Sequence, residues 1–194
     1  MTHIKKAETV HPVLDIIKTR WSPRSFSGKP ISKEDMNTML EAASWSFSGR
    51  NEQPWRYMVA HKDTDTFNSF FDLLFPGNKP WNKNSAALIL SLGKETYGDT
   101  EEINKSMLND VGASNMLLTL QANSMDICSH IMEGFDKEKA KSLLNLDKHL
   151  VPVVMISLGY LDHADKLEEP FKTRETSRRS RKKLSEFVLT PIIS

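Results

Sequence analysis

Hydrophobic and polar positions along this chain repeat with a helical period in some stretches and form short apolar runs in others. Ser32 is followed three positions later by an acidic residue, which is typical of a helix N-terminus. Apolar residues then recur at helical spacing, at Met36, Met39, Leu40 and Ala43. The pattern predicts a helix that begins at Ser32 and buries one stripe.

The pattern of apolar and polar positions also predicts helices and strands in the rest of the chain. It predicts further helices at 64–74, 103–125 and 137–146. It predicts strands at 55–60, 86–92 and 151–159, with a last strand-like segment at 187–189. The polar and charged stretch 162–177 is expected to be a surface connection.

The order of these elements indicates an α+β fold, because helices and strands do not alternate strictly. The helix at 103–125 is apolar around much of its circumference, so we expect it to be central or at a subunit interface. The sequence contains no Gly-x-Gly-x-x-Gly and no Walker A motif. A dinucleotide would therefore not bind in a Rossmann crevice.

Size and composition narrow the class of protein. The chain has 194 residues, 39% of them hydrophobic and 26% charged, and we expect one domain over 1–194. The net charge of +1 does not indicate a polyanionic partner, so no nucleic acid is expected. No apolar run is long enough for a membrane span and the first residues lack a secretory signal, so we expect a cytoplasmic protein. The single cysteine excludes an intramolecular disulfide, and the histidines lack metal-ligand spacing, so no metal is expected.

Candidate chemistry is concentrated in two short segments, 20–24 and 46–55. The first places Arg20, Ser22 and Arg24 around Pro23, which ends any helix that runs in from the preceding residues. Arginine forms planar, bidentate hydrogen bonds to phosphate. This segment therefore predicts an anion-binding site that needs no glycine-rich loop.

Four more stretches follow in a characteristic order, at 110–117, 131–136, 158–160 and 179–188. With the first two segments they make the chain resemble the nitroreductase family from residue 20 to residue 188. The resemblance implies an α+β nitroreductase-like fold, with a central mixed or antiparallel sheet flanked by helices. It also implies a homodimer with its active site at the subunit interface.

The resemblance further implies FMN as cofactor and assigns residues to it. Those expected at the phosphate and ribityl end are Arg20, Ser22, Arg179 and Arg181, and Trp21 is also expected to bind the cofactor. Those expected near the flavin ring are Arg24 and Asn78 by their side chains, and Glu133 and Gly134 by their backbone. Those expected to come from the partner subunit are Ser48, Gly49 and Asn51. Residues 178–194 would form a basic C-terminal segment that closes the flavin site.

The implied reaction passes a hydride from NADH or NADPH through FMN N5 to a nitroaromatic, a quinone or a similar electron-poor acceptor by a ping-pong mechanism. No acid–base side chain is expected to be catalytic, since the chemistry occurs on the flavin. Three alternatives stay open: a specialised flavin dehydrogenase or dehalogenase, a non-catalytic FMN-binding module, and a nucleic-acid-binding module that uses the basic run 178–183. Cys128 and His130 could be a nucleophile and its base, but no paired acid is evident and a buried cysteine is usually inert.

Overall fold

The computed structural model describes residues 2–189, which fold around one four-stranded sheet. Its strands are β1 (Trp55–His61), β2 (Ala87–Lys94), β3 (Ile127–Met132) and β4 (Leu150–Tyr160). They lie in the order β1-β2-β4-β3, and every neighbouring pair is antiparallel. Of the two sheet types that the sequence allowed, the protein has the antiparallel one.

Helices precede, separate and follow these strands. The α-helices are α1 (Thr2–Lys5), α2 (Asp15–Thr19), α3 (Lys33–Ser44), α4 (Asp65–Leu73), α5 (Lys79–Asn82), α6 (Met107–Ser124), α7 (Lys137–Leu143) and α8 (Phe171–Thr176). Single 3₁₀ turns occur at Gly49–Asn51, Ala164–Lys166 and Leu184–Glu186. Within residues 2–189, no helix has the length and apolar character needed to cross a bilayer.

Helix α3 forms as its pattern predicts. The Ser32 side chain caps it by accepting a hydrogen bond from the backbone N–H of Asp35 at 3.0 Å. Its buried residues, Met36, Met39 and Ala43, are three of the four positions that define the predicted stripe. They pack against α6, which crosses the same face of the sheet.

The sheet separates two hydrophobic cores, and β2 contributes to both. Its residues alternate between the two sides: Leu88 and Leu90 pack with α4, whereas Ala87 and Ile89 pack with α3 and α6. All of these side chains are fully buried, which explains why β2 is almost continuously apolar. The result is a sheet covered by helices on both faces, and the α+β prediction is confirmed.

Three predictions about local structure were wrong. Strand β3 was not predicted. The stretch 131–136 resembles the loop that lies over the flavin ring in the family, but here the loop begins only at Glu133, because Ile131 and Met132 pair with β4. Residues 187–189 do not form a strand, and their side chains are exposed. The stretch 162–177 is more than a surface connection, because it contains α8 and the fully buried Glu175.

Two helix boundaries moved by three or four residues. Helix α6 begins at Met107 instead of residue 103, because Ile103 forms a β-bridge with Thr96 and is largely exposed. Helix α7 ends at Leu143, three residues before the predicted end. Of the proposed C-terminal segment 178–194, residues 190–194 lie outside the described residues, as does residue 1.

Candidate functional site

A small basic cavity lies where residues 5–24 meet residues 174–181. It has a volume of about 230 Å³, and six cationic side chains line it. The complete lining is Lys5, Arg20, Trp21, Ser22, Arg24, His130, Arg174, Arg179 and Arg181. The cavity therefore brings together all the residues that sequence analysis assigned to the phosphate end, together with Arg24.

The C-terminal segment reaches this cavity through Arg179. Its Nη1 donates a hydrogen bond to the Arg20 carbonyl oxygen at 2.6 Å, and its Nη2 donates to the Lys18 carbonyl oxygen at 2.6 Å. These carbonyls lie at the end of α2, where the backbone has no helical partners left. The Nε of Arg179 is buried and has no hydrogen-bond partner among residues 2–189. One donor of a residue that lines the cavity is therefore unsatisfied within this part of the chain.

A buried carboxylate holds the 20–24 segment against α8. Glu175 is fully buried, and its Oε1 accepts hydrogen bonds from the backbone N–H groups of Arg24 at 3.0 Å and Ser25 at 3.1 Å. Six lining cations against this one carboxylate leave a formal charge of 6 − 1 = +5 around the cavity. Such an excess strongly favours a bound anion.

The ionisation of the lining groups reflects this crowding. Burial, and then repulsion by Arg181, lowers the pKa of Arg20 below its usual value. Burial also lowers the pKa of Arg179, with Arg20 and Arg181 adding to the effect. Both guanidiniums stay charged at neutral pH because arginine loses its proton only in strong alkali. An anion that enters the cavity would relieve their mutual repulsion.

Arg24 connects the cavity to a second part of the site. Its guanidinium carbon lies 5.7 Å from the centre of the Trp81 ring, a cation–π contact, and Trp81 packs on His130 with ring centres 4.4 Å apart. His130 Nδ1–H donates to the Pro23 carbonyl oxygen at 2.9 Å. Burial lowers the pKa of His130 to about 4, so the imidazole is neutral near pH 7.

Asn78 and Gly134, both assigned to the flavin ring, are in direct contact. Asn78 Nδ2 donates to the Gly134 carbonyl oxygen at 3.0 Å. A Cβ atom added at Gly134 would lie 2.8 Å from Asn78 Nδ2, so a side chain there would displace the Asn78 amide. The Glu133 side chain is 85% exposed and points towards Lys137, 3.7 Å away. The assignment of the Glu133 backbone to the flavin ring stays a prediction.

The third group, Ser48, Gly49 and Asn51, does not line the basic cavity. The Gly49 N–H donates to Oδ2 of the buried Asp110, in the first turn of α6, at 3.0 Å. Arg50 and Asn51 have positive φ angles of 56° and 55°, which non-glycine residues rarely adopt. Such a backbone costs free energy and is common at functional sites.

Four residues of the cavity region were not predicted as part of the site: Lys5, His130, Arg174 and Glu175. His130 was considered only as a base for Cys128. No local pattern indicates them. Lys5 precedes the first predicted element, and Arg174 and Glu175 lie in the stretch read as a surface connection. They join the site because α1 and α8 pack beside the 20–24 segment in the folded protein.

Cys128 is not placed for nucleophilic chemistry. It lies outside the basic cavity, in a separate one that also contains Trp21 and Tyr160. Burial raises the pKa of its thiol to about 11, so the reactive thiolate is scarce at neutral pH. The structure thus supports the interpretation that the Cys128 thiol is unreactive.

Comparison with known proteins identifies the family of this chain. The family model described as "Nitroreductase family" matches residues 17–80, from α2 to α5. A solved structure described as "the oxidoreductase containing FMN" is 30% identical, with a TM-score of 0.86 and coverage of 91% of both chains. The chain belongs to the nitroreductase family.

Two further relatives of this nitroreductase-family chain are curated proteins. YodC of Bacillus subtilis (strain 168) is 26% identical, over 75% of this chain and 88% of its own. The "Major NAD(P)H-flavin oxidoreductase" of Aliivibrio fischeri is 29% identical, over 45% of this chain and 41% of its own. The family match ends at residue 80, so the contribution of Lys5, Glu175 and the C-terminal arginines to the site depends on the geometry described above.

Proposed function

We propose that this protein is an FMN-dependent oxidoreductase that transfers a hydride from NADH or NADPH to a nitroaromatic, a quinone or a similar electron-poor acceptor. The observation that carries the proposal is the basic cavity, in which residues from both ends of the chain converge on a space of about 230 Å³. Relatives named for FMN and for NAD(P)H and flavin support it.

The residues present fit the phosphate of FMN. A phosphate monoester carries between −1.5 and −2 charges near pH 7, and the cavity has a formal excess of +5. Arg20 and Arg181 offer guanidinium donors, and Ser22 offers a hydroxyl. The buried Nε of Arg179 has no hydrogen-bond partner within the described residues. A terminal phosphate, as in FMN, matches so small a cavity better than the internal diphosphate of FAD.

The other assigned residues would hold and tune the ring. Bound FMN supplies the redox chemistry, accepting hydride at N5 and releasing it to the acceptor. Arg24, held by Trp81 on one side and by Glu175 through its backbone, would place positive charge beside the pyrimidine edge. Asn78 fixes the backbone of Glu133 and Gly134, whose N–H groups would face the ring.

We further propose a homodimer in which Ser48, Gly49 and Asn51 of one subunit complete the cavity of the other. Their absence from the basic cavity of their own chain supports this arrangement. Reductant and acceptor would occupy the same pocket in turn, which gives ping-pong kinetics. We propose that residues 1–194 form one domain and that residues 178–194 close the flavin site. We also propose that the protein is cytoplasmic.

The nucleic-acid alternative has less support. Arg178 forms an exposed ion pair with Glu8 at 2.6 Å, and Arg179 turns inward to the end of α2. Two cations of the run 178–183 are thus engaged by the protein itself. A specialised flavin dehydrogenase or dehalogenase of the same family would use the same cofactor site, and only an acceptor panel separates it from a nitroreductase.

The activity is tested on the purified protein under anaerobic conditions. We expect a yellow protein that releases FMN and whose visible absorbance is bleached by NADH or NADPH. Rapid-mixing rates with each nucleotide identify the reductant, and reoxidation by nitroaromatics and quinones identifies the acceptor. A protein that neither contains nor binds flavin would refute the proposal.

The site itself is tested by removing single arginines. Arg20→Ala and Arg181→Ala should each weaken FMN binding by about ten- to a hundred-fold, because each removes a charge-assisted contact with the same phosphate. Since the two share a ligand, the double variant should depart from additivity. Excess FMN should restore activity in both single variants. Fluorescence titration of the apoprotein measures these affinities.

Arg178→Ala is the matched control, because Arg178 is a neighbouring exposed cation whose partner is Glu8. It should leave FMN affinity unchanged. Unchanged affinity on loss of Arg20 would contradict the assigned phosphate site.

A further inference from the structure

Lys5 is buried although it belongs to the first helix of the chain. Only 5% of its surface is exposed, which is rare for lysine because a buried ammonium must replace its contacts with water. Its Nζ donates to the carbonyl oxygens of Arg174, at 2.7 Å, and Ser177, and lies 5.0 Å from the centre of the Trp21 ring. Arg174 lies in the last turn of α8 and Ser177 directly follows its last residue, so Lys5 attaches α1 to the C-terminal end of α8.

Among residues 2–189, these contacts leave one N–H of the Lys5 ammonium without a hydrogen-bond acceptor. An ammonium group has three N–H donors, and two of them bind the α8 carbonyls. The lysine lines the same 230 Å³ cavity as Arg20, Ser22 and Arg181. The remaining N–H is therefore available to a ligand in that cavity.

Lys5 also lacks an anionic partner among residues 2–189. The nearby carboxylate of Glu175 is engaged by the backbone N–H groups of Arg24 and Ser25. Burial lowers the pKa of Lys5, Glu175 opposes this, and Arg24 and Arg179 lower it further. A bound anion would supply the missing counter-charge.

We infer that Lys5 is a direct ligand of the FMN phosphate, donating its third N–H to a phosphate oxygen. This makes α1 part of the cofactor site, although the family match begins only at residue 17. The inference rests on the proposed function, since it assumes that FMN occupies the cavity.

The test compares FMN with riboflavin, which has the same ring and ribityl chain but no phosphate. In the full-length apoprotein, Lys5→Met should weaken FMN binding about ten-fold or more and leave riboflavin binding unchanged, because the lost contact is made only to phosphate. Lys6→Met is the control: Lys6 is exposed and pairs with Asp15 at 3.3 Å, so both affinities should equal those of the parent. Lys5→Arg should recover part of the FMN affinity.

The outcomes separate the two proposals. A parent protein that binds no FMN refutes the proposed function. If the parent binds FMN, an equal loss for FMN and riboflavin in Lys5→Met shows a purely structural role and overturns this inference, as does no loss at all. If circular dichroism shows that Lys5→Met is unfolded, Lys5→Gln replaces it, because the amide can still donate to the α8 carbonyls without the charge. The same selective loss of FMN binding is then required.

Discussion

His130 shows how strongly the fold can change one ionisable side chain. It is enclosed by Trp81 and the Pro23 carbonyl, and burial lowers its pKa to about 4. In the unfolded chain the same imidazole titrates near pH 6.5. Below that pH the unfolded state binds a proton that the folded state does not, so protonation favours unfolding.

We therefore expect His130 to make the protein less stable in acid. Its contribution should leave the free energy of unfolding unchanged above pH 6.5 and lower it progressively between pH 6.5 and pH 4, by about 3 kcal/mol in all. Urea unfolding of the parent and of His130→Asn across this range isolates the contribution, since the variant lacks it. In parallel, NMR should find the His130 ring neutral at pH 5.5; a midpoint near 6.5 in the folded protein would contradict the prediction.

The sequence alone identifies only some of the residues that form the candidate phosphate site. The phosphate-side residues Arg20, Ser22 and Arg24 stand within five positions, so their shared chemistry is visible in the sequence. Glu175 and Lys5 lie at opposite ends of the chain in unremarkable polar stretches. Their roles depend on burial and on long-range contacts, which no local pattern encodes.

At the scale of elements, a glycine lets the 20–24 segment approach the sheet. Gly159 of β4 lies beneath Phe26, and an added Cβ would stand 2.8 Å from Phe26 Cδ1. Phe26 is itself buried and follows the Arg24 and Ser25 backbone that Glu175 holds. A side chain at residue 159 would therefore push on the segment that carries the proposed phosphate ligands.

Gly159→Ala should lower the free energy of unfolding by about 1–3 kcal/mol, the usual cost of overpacking, and should also weaken FMN binding. Gly77→Ala is the control, since nothing lies within 4 Å of its added Cβ and its φ is not positive. It should be neutral or slightly stabilising. Urea unfolding at equal protein concentration and FMN titration test both variants; a stable Gly159→Ala with normal affinity would show that the segment can shift freely.

Element prediction succeeded where the signal is local. The Ser32 cap lies about one turn before Met36, the first residue of the α3 stripe, and the rest of the stripe follows at helical spacing. The helix formed as expected. Strand β3 was missed because its residues Ile127–Met132 are short and interrupted by polar Ser129 and His130, which are buried by tertiary contacts. The strand predicted at 187–189 does not form. These residues are apolar enough for a strand, but no described strand pairs with them.

For the whole molecule, exposed aromatic and aliphatic side chains favour the proposed homodimer. Trp45 and Phe47, beside the strained loop that carries Ser48, are 81% and 68% exposed, and Leu108 on α6 is 61% exposed. Large apolar residues clustered near a functional loop commonly mark an interface. In the proposed dimer this surface would be buried as the loop reaches the partner's cavity.

We expect sedimentation equilibrium to give a dimer and Phe47→Glu to shift it towards a folded monomer that has lost most of its FMN affinity, because the new charge would have to be buried in the interface. Lys33→Glu, a charge change at the exposed start of α3, should leave both properties unchanged. An active, flavin-loaded monomer of the parent protein would refute the shared site.

The contact between Arg179 and Arg20 spans 159 positions of sequence. During synthesis the chain emerges from its N-terminus and can begin to fold before the last residues are made. The sheet is complete at Tyr160, so its folding does not require the C-terminal arginines. The proposed phosphate pocket, in contrast, includes Arg179 and Arg181, which are made after the sheet. Cofactor binding would therefore come after folding of the sheet during synthesis.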